Sequence, residues 1–308
     1  MLTVFHTAAL YQKRKATRPL YIRVILGGIM AYSAEISRIN PTSFLFLIDQ
    51  SGSMSDAWGQ DQTVSKAHSV AAMLNHLLQT LSIRCAKEEG VRGYFEIAVI
   101  GYGATVGNAF TGSFQSEKFI SISDLANQPL RLTEVEKKVE DGAGGLVSET
   151  VKIPIWVEDV SNNGTPMCRA ISMAHDWLSE WIGVHPNAYP PTVLNISDGQ
   201  ANDGDPRSAA AALTSLATSD GNVLMYNVCI SSESGTKAIT FPDEGDSLPD
   251  EYARLMFEMS SVLTPYMREC AAGESFAVSE ASRFFFFQAD PVATIKFLDI
   301  GTRTANLR

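Results

Sequence analysis

The sequence predicts an α/β fold with a doubly wound, mostly parallel central sheet flanked by helices, and three observations predict it. Continuous apolar runs, which indicate strands covered on both faces, recur along the chain. Segments with apolar residues at spacings of three and four, which indicate amphipathic helices, alternate with these runs. Three predicted helix starts place a capping side chain before a proline, at Thr165-Pro166, Asp205-Pro206 and Asp290-Pro291.

The predicted elements follow one another in a regular order. Strands are predicted at 44–48, 95–100, 193–196 and 223–230, and helices at 64–81, from residue 166, from residue 206 and from residue 291 to Gly301. The region 104–150 interrupts this order, because it is rich in glycine and contains a charged stretch at 134–140. It lacks the hydrophobic density of a second domain, so we expect an insertion that forms an edge hairpin and a short helix.

Composition excludes several classes of protein. The 308 residues are 45% hydrophobic and 19% charged, which is typical of an ordinary globular chain. A net charge of −10 and a pI near 5.0 argue against nucleic-acid binding, which needs clustered cations. No segment has the roughly 18 uninterrupted apolar residues that a membrane span requires. Cationic or metal-bridged partners therefore fit this chain better.

The first residues differ from the rest in charge. Residues 1–34 contain five basic side chains and no acidic one, so we expect residues 1–36 to be a weakly ordered basic extension and 37–308 to be the domain. The apolar run at 20–30 also resembles a signal peptide, although Arg23 interrupts it, and Met30 is an alternative start. Four scattered cysteines without a C-x-x-C pair predict reduced thiols and a cytoplasmic location.

Oxygen-bearing side chains follow the predicted strands. Ligands of open α/β sheets bind at the carboxyl ends of the strands, so the loops at 49–53, 163–165 and 197–200 are expected to meet at one edge. Five of their side chains, two carboxylates and three hydroxyls, are the candidate ligands, namely Asp49, Ser51, Ser53, Thr165 and Asp198. Such hard oxygens suit Mg²⁺ or Mn²⁺, whereas zinc would favour histidine or cysteine.

Each of these signals also has a structural explanation when it stands alone. The D-x-S-G-S segment could be a strand end with helix-capping serines, and Thr165 could be an ordinary helix cap. In an extended loop, however, Asp49, Ser51 and Ser53 face the same way because successive side chains alternate. The combination of all five residues, each after an expected strand or before an expected helix, favours a metal site.

The same five residues resemble the metal-ion-dependent adhesion site of the von Willebrand factor A (vWA) domain, whose motif is D-x-S-x-S, a distant Thr and a later Asp. The resemblance covers residues 42 to about 300. It implies that Ser51, Ser53 and Thr165 bind the ion directly, while Asp49 and Asp198 hold ordered waters. The segments around the motif also resemble small bacterial stand-alone vWA proteins of the tellurite-resistance-associated group. These are often encoded beside kinases and phosphatases, which are therefore candidate partners.

The predicted function is metal-dependent protein binding without catalysis. A cation held mainly by neutral hydroxyls keeps much of its charge, so an Asp or Glu of a partner protein could replace one of its waters. We expect Met54, Trp58 and Gln200 to lie on the partner-binding rim. Asp198 is expected to follow a strand onto an open rim and to matter more for metal affinity than for folding.

The alternative prediction is a Mg²⁺-dependent hydrolase or phosphatase-like enzyme that uses the same ion as a Lewis acid. The sequence offers it little support. Proline stands where the nucleophilic serine of a subtilisin-type protease would be, and the chain has no G-x-x-x-x-G-K-[ST] loop for nucleotide phosphates. A third possibility is a purely structural module in which the metal site is silent.

Overall fold

The computed structural model describes residues 32–58, 63–140, 146–230, 238–287, 291–304 and 307. Most of the predicted basic extension, residues 1–31, and the predicted helix cap Asp290 lie outside these ranges.

The described residues form fourteen strands and seven α-helices. The strands are β1 (Thr42–Asp49), β2 (Ala86–Lys87), β3 (Gly90–Val91), β4 (Phe95–Tyr102), β5 (Val106–Asn108), β6 (Ile120–Ser121), β7 (Arg131–Glu140), β8 (Leu146–Ile155), β9 (Thr192–Ser197), β10 (Ala217–Thr218), β11 (Gly221–Asn222), β12 (Leu224–Cys229), β13 (Ile239–Thr240) and β14 (Phe285–Phe287). The helices are α1 (Lys66–Cys85), α2 (Ile122–Asn127), α3 (Met167–Val184), α4 (Arg207–Ser215), α5 (Glu251–Met259), α6 (Pro265–Gly273) and α7 (Pro291–Gly301).

Eight strands make the central sheet, in the order β13-β14-β12-β9-β1-β4-β5, with β6 also paired to β4. The five strands from β14 to β4 are parallel, and β13, β5 and β6 are antiparallel. The predicted doubly wound, mostly parallel sheet is therefore confirmed. From β1 the chain first builds β4 on one side and later β9 on the other, so β1 lies at the topological switch point where ligands of such sheets bind.

All eight residues of β1 are buried, because helices cover both faces of the sheet. Phe44, Phe46 and Ile48 face the layer that contains α1, α6 and α7. Leu45 and Leu47 face the layer that contains α3, α4 and α5. Full burial of each such side chain contributes roughly 1.5–3 kcal/mol, so β1 is held rigidly from both sides.

A chain of buried polar side chains crosses the second layer. The Tyr102 hydroxyl donates to Asn195 Oδ1 at 2.8 Å, and Asn195 Nδ2 donates to Asn227 Oδ1 at 2.9 Å. Asn227 Nδ2 in turn donates to Ser260 Oγ at 3.0 Å, just beyond α5. Because buried polar groups are costly when unpaired, this chain fixes the register of β4, β9 and β12 close to their carboxyl ends.

The predicted boundary at residue 36 lies too far along the chain. The backbone N–H groups of Ser33 and Ala34 donate to the Asp220 carboxylate at 2.9 Å each, and Ile36 is fully buried. Residues 32–36 are therefore part of the packed structure.

An edge hairpin and a short helix were expected in the insertion; β5 forms an antiparallel hairpin with β4 at the sheet edge and α2 is a short helix, but the insertion also holds a long antiparallel hairpin of β7 and β8. Its second strand reaches Ile155, beyond the predicted limit at 150. The charged stretch at 134–140 lies in β7. Among the described residues, no helix is long and apolar enough to cross a membrane.

Candidate metal centre

Asp49, the last residue of β1, is a buried carboxylate with a relative exposure of 1%. One oxygen accepts a hydrogen bond from the Ser51 backbone N–H at 2.8 Å, and the other accepts from the Ser197 hydroxyl at 2.6 Å. Burial raises the pKa of the Asp49 carboxyl, and nearby Asp198 raises it further, while the bonds from Ser197 and Ser51 act in the opposite direction. The site thus holds a negative charge whose burial is unfavourable without a cation.

Ser51 and Ser53 connect Asp49 to Asp198, beginning with the bond from the Ser51 backbone N–H to Asp49. Ser51 Oγ lies 3.0 Å from Ser53 Oγ, and Ser53 Oγ donates to Asp198 Oδ1 at 2.9 Å. Adjacent oxygens in an octahedron with Mg–O distances of 2.0–2.1 Å are separated by roughly 2.9 Å. The 3.0 Å between the two serine hydroxyls fits neighbouring ligands of a magnesium ion, although it is an ordinary hydrogen-bond distance as well.

The loop that carries Thr165 lies between the other two loops of the site. The Asn162 backbone N–H donates to the Gln50 carbonyl at 2.6 Å, and the Asn202 backbone N–H donates to the Thr165 carbonyl at 3.0 Å. Gly164 has a φ of +88°, and a Cβ there would lie 3.3 Å from the Gly103 carbonyl oxygen, so a glycine fits this turn. Thr165 itself is half-buried, and these two backbone bonds tie its loop to the segments that follow Asp49 and Asp198.

Thr165 is not the helix cap that the sequence predicts. Helix α3 begins at Met167, one residue later than expected, and no side chain of its own N-terminal residue caps it. The Asp203 carboxylate accepts from the backbone N–H groups of Cys168 and Arg169 at 3.0 Å each and takes that role. The Thr165 hydroxyl is therefore not required for capping, which leaves it for the site.

Lys66 is a residue of this site that the sequence analysis missed. Its ammonium lies 2.7 Å from Asp198 Oδ2 and 3.8 Å from Asp56 Oδ2, and the Lys66 and Asp198 side chains are only 4% and 2% exposed. The residue as a whole is half-buried, but its carboxylate is buried and ion-paired, so the prediction that Asp198 stands on an open rim is wrong for its side chain. A signal was present, because Lys66 begins α1, where the helix dipole disfavours a cation that has no partner.

Two of the three residues predicted for the partner-binding rim are not on the surface. Met54 is fully buried and Trp58 is 5% exposed, and both belong to the core layer beside α1. The short 3₁₀ turn at Gly52–Ser55 directs Met54 inward, which explains the error. Gln200 is exposed, as expected, and its side-chain oxygen accepts from the Tyr252 hydroxyl at 2.8 Å.

An ion at this position would depend on hydroxyl oxygens. In the part of the chain that the structure describes, no group of three or more His, Cys, Asp and Glu side chains could hold a metal. The site offers two carboxylates, one of them paired with Lys66, together with the hydroxyls of Ser51 and Ser53. Oxygen donors of this kind fit Mg²⁺ or Mn²⁺ and do not fit a zinc site.

Neither a protein-family profile nor a curated protein sequence matches the chain. Similar solved structures include a von Willebrand factor type A protein from Catenulispora acidiphila, with a TM-score of 0.41 and 14% identity over 85% of this chain and 41% of that one. The ArnB paralog VWA2 from Sulfolobus acidocaldarius has a TM-score of 0.37 and 11% identity over 85% of this chain and 44% of that one. The vWF domain of the type V pili tip protein Mfa5 from Porphyromonas gingivalis has a TM-score of 0.30 and 17% identity over 53% and 39%. The chain spans less than half the length of each.

Proposed function

We propose that the chain is a metal-dependent protein-binding module of the vWA type. In this proposal Ser51, Ser53 and Thr165 hold a Mg²⁺ or Mn²⁺ ion, and Asp49 and Asp198 support it through ordered water. The observation that carries the proposal is the hydrogen-bonded chain that runs from Asp49 through Ser51 and Ser53 to Asp198, at the carboxyl ends of the adjacent strands β1 and β9. The Ser51 and Ser53 hydroxyls within this chain, 3.0 Å apart, have the spacing of neighbouring magnesium ligands.

The charge of the site favours an acidic partner. The hydroxyl ligands are neutral, and one of the two acids is already paired with the Lys66 ammonium, so a bound dication keeps part of its charge. An Asp or Glu side chain of another protein would neutralise it by replacing a water. The net charge of −10 would repel such a partner in the absence of the ion, so the metal would switch binding on.

Several sequence-based predictions stay predictions. They are the cytoplasmic location, a partner kinase or phosphatase, and the absence of catalysis. The proposed module needs no general base or nucleophile, because binding is complete when the partner carboxylate joins the ion.

A Mn²⁺ titration of two serine variants tests the proposal. Ser53→Ala removes a hydroxyl of the cluster, so we expect Mn²⁺ affinity to fall about tenfold or more. Ser55→Ala is the matched control, because Ser55 is also exposed but its hydroxyl donates to the Gly52 carbonyl at 2.8 Å instead. Calorimetry measures the affinities, and acetate added to the Mn²⁺-loaded protein reports the open coordination position. Wild-type protein that binds no Mn²⁺, or equal affinities for the two variants, would refute the metal site.

A further inference from the structure

The buried contact between Lys66 and Asp198 has no counterpart in the motif that predicts the site. Asp198 stands between two groups: one oxygen accepts from Ser53 in the hydroxyl cluster, and the other contacts the Lys66 ammonium at 2.7 Å. The Asp56 carboxylate lies 3.8 Å from the same ammonium, but its side chain is 60% exposed and therefore screened by solvent. Lys66 is thus a buried positive charge in contact with Asp198, at the carboxylate oxygen that does not accept from Ser53.

Stability alone does not account for this ion pair. Removing two charges from water is costly, and well-packed apolar residues of similar size often replace a buried pair without loss of stability. Lys66 is also the first residue of α1, where the helix dipole opposes a positive charge. A lysine at this point is therefore unfavourable locally, and positions that break a local structural rule are frequent at functional sites.

We propose that the positive charge of Lys66 weakens cation binding at the metal centre and strengthens the binding of a partner carboxylate to the bound cation. This inference rests on the proposed function. Asp49 and Asp198 carry two negative charges and Lys66 carries one positive charge, so a centre loaded with a dication has a net charge of +1. A single partner carboxylate neutralises that charge. Without the ammonium the loaded centre would already be neutral, and the cation would bind more tightly while the carboxylate bound less tightly.

Lys66 also acts as a positioning residue. Its bond to Oδ2 orients the Asp198 carboxylate so that Oδ1 faces the Ser53 hydroxyl. Because Oδ2 is bonded to the Lys66 ammonium, the Asp198 carboxylate is less able to turn both of its oxygens toward the ion. The cation therefore keeps its neutral ligands and its open position.

Lys66→Gln is the variant that separates charge from shape, because the glutamine amide can still donate to Asp198 but carries no charge. We expect K66Q to bind Mn²⁺ about tenfold more tightly than wild type, and its Mn²⁺-loaded form to bind acetate about tenfold more weakly. Lys66→Arg keeps the charge, so its two affinities should stay close to the wild-type values. Calorimetry with Mn²⁺, and the change in the Mn²⁺ electron paramagnetic resonance signal on adding acetate, measure the two effects.

Asp56→Asn is the control for a charge change near the ammonium. Because Asp56 is exposed, we expect its Mn²⁺ and acetate affinities to differ from the wild-type values by less than about twofold. If K66Q does not fold, the double variant K66Q/D198N is used, because it leaves neither charge of the buried pair without its partner. Its centre has the same net charge as that of wild type, so its Mn²⁺-loaded form should bind acetate within about threefold of wild type, and a tenfold loss would contradict the charge argument.

The outcomes distinguish this inference from the proposed function. If wild type binds Mn²⁺ but folded K66Q has the same Mn²⁺ and acetate affinities, the role of Lys66 is refuted and the metal centre stands. If K66R shifts as much as K66Q, the effect comes from shape and the charge argument fails. If neither wild type nor K66Q binds Mn²⁺, both proposals fall together.

Discussion

At the residue scale, Asp49 is a carboxylate that the fold buries at the candidate site at a cost in free energy. The carboxylate is buried at the end of the central strand and satisfied by Ser51 and Ser197, yet its pKa is raised because burial outweighs these bonds. A buried carboxylate with a raised pKa destabilises the folded protein unless a cation approaches it. The structure therefore gives metal binding a measurable link to stability.

Asp49→Asn tests that link. An amide can accept the Ser51 N–H bond without the cost of a buried charge, so in EDTA we expect the free energy of unfolding to change by less than about 1 kcal/mol. Wild type should gain roughly 2.7 kcal/mol when Mg²⁺ is present at a hundredfold excess over its dissociation constant, and the variant should gain little. Thermal unfolding with Mg²⁺ and with EDTA measures both. An equal magnesium-induced gain in the variant would exclude Asp49 from the site.

The sequence identifies the site residues better than it identifies their surroundings. Asp49, Ser51, Ser53 and Asp198 are linked by hydrogen bonds as their positions after parallel strands suggest. The Lys66 contact depends on how α1 packs against the loop after β9, and sequence spacing does not encode that distance. Met54 and Trp58 were misplaced for the same reason, since loop side chains can turn into the core.

At the element scale, Asn75 joins the insertion to the helix behind the site. This buried residue of α1 accepts from the Trp156 and Val157 backbone N–H groups at 2.8 and 3.1 Å, and it donates to the Val157 carbonyl at 2.8 Å. The same stretch of chain continues from β8 to the loop that carries Thr165. Asn75 thus fixes the base of the hairpin and the start of the path to the site.

Asn75→Ala should therefore destabilise the protein strongly. It leaves two buried N–H groups and one carbonyl without their partner, which is expected to cost roughly 2–4 kcal/mol. Asn127→Ala is a matched control in α2, because Asn127 is exposed and makes a single local bond to the Ser123 carbonyl. Urea unfolding measures both, and the control should lose less than about 1 kcal/mol. Similar losses for the two variants would show that Asn75 is not an anchor.

The central elements were predictable because their signals are local. Strands β1, β4, β9 and β12 are apolar on both faces, and each was predicted within two residues of its ends. Strand β14 was missed although Phe284 to Phe287 form an apolar run, because three residues are too few to distinguish a strand from a core segment. The hairpin of β7 and β8 is harder to predict, because the charged sequence of β7 has no regular apolar alternation, although Val151, Ile153 and Ile155 of β8 do alternate.

At the scale of the whole molecule, the two core layers hold ionisable groups as well as apolar ones. Burial raises the pKa of the Cys85 thiol from its ordinary value near 9 to about 12. Burial also raises the pKa values of the Cys229 thiol and of the Tyr102 and Tyr226 hydroxyls. In each case the folded protein keeps a proton that the unfolded chain releases at lower pH.

The difference in thiol pKa between the folded and unfolded states predicts that the protein loses stability above about pH 9. The stability linked to Cys85 is fully present below pH 9, where both states keep the proton, and it is lost as pH rises toward 12. Each such thiol should lower the free energy of unfolding by about 1.4 kcal/mol per pH unit in that window. Cys85→Ala should therefore lose some stability at pH 8 by leaving a small cavity, but it should decline less steeply between pH 9 and 11. Urea unfolding in EDTA at several pH values measures the slopes. Equal slopes for the variant and wild type would show that Cys85 does not remain protonated in the folded core.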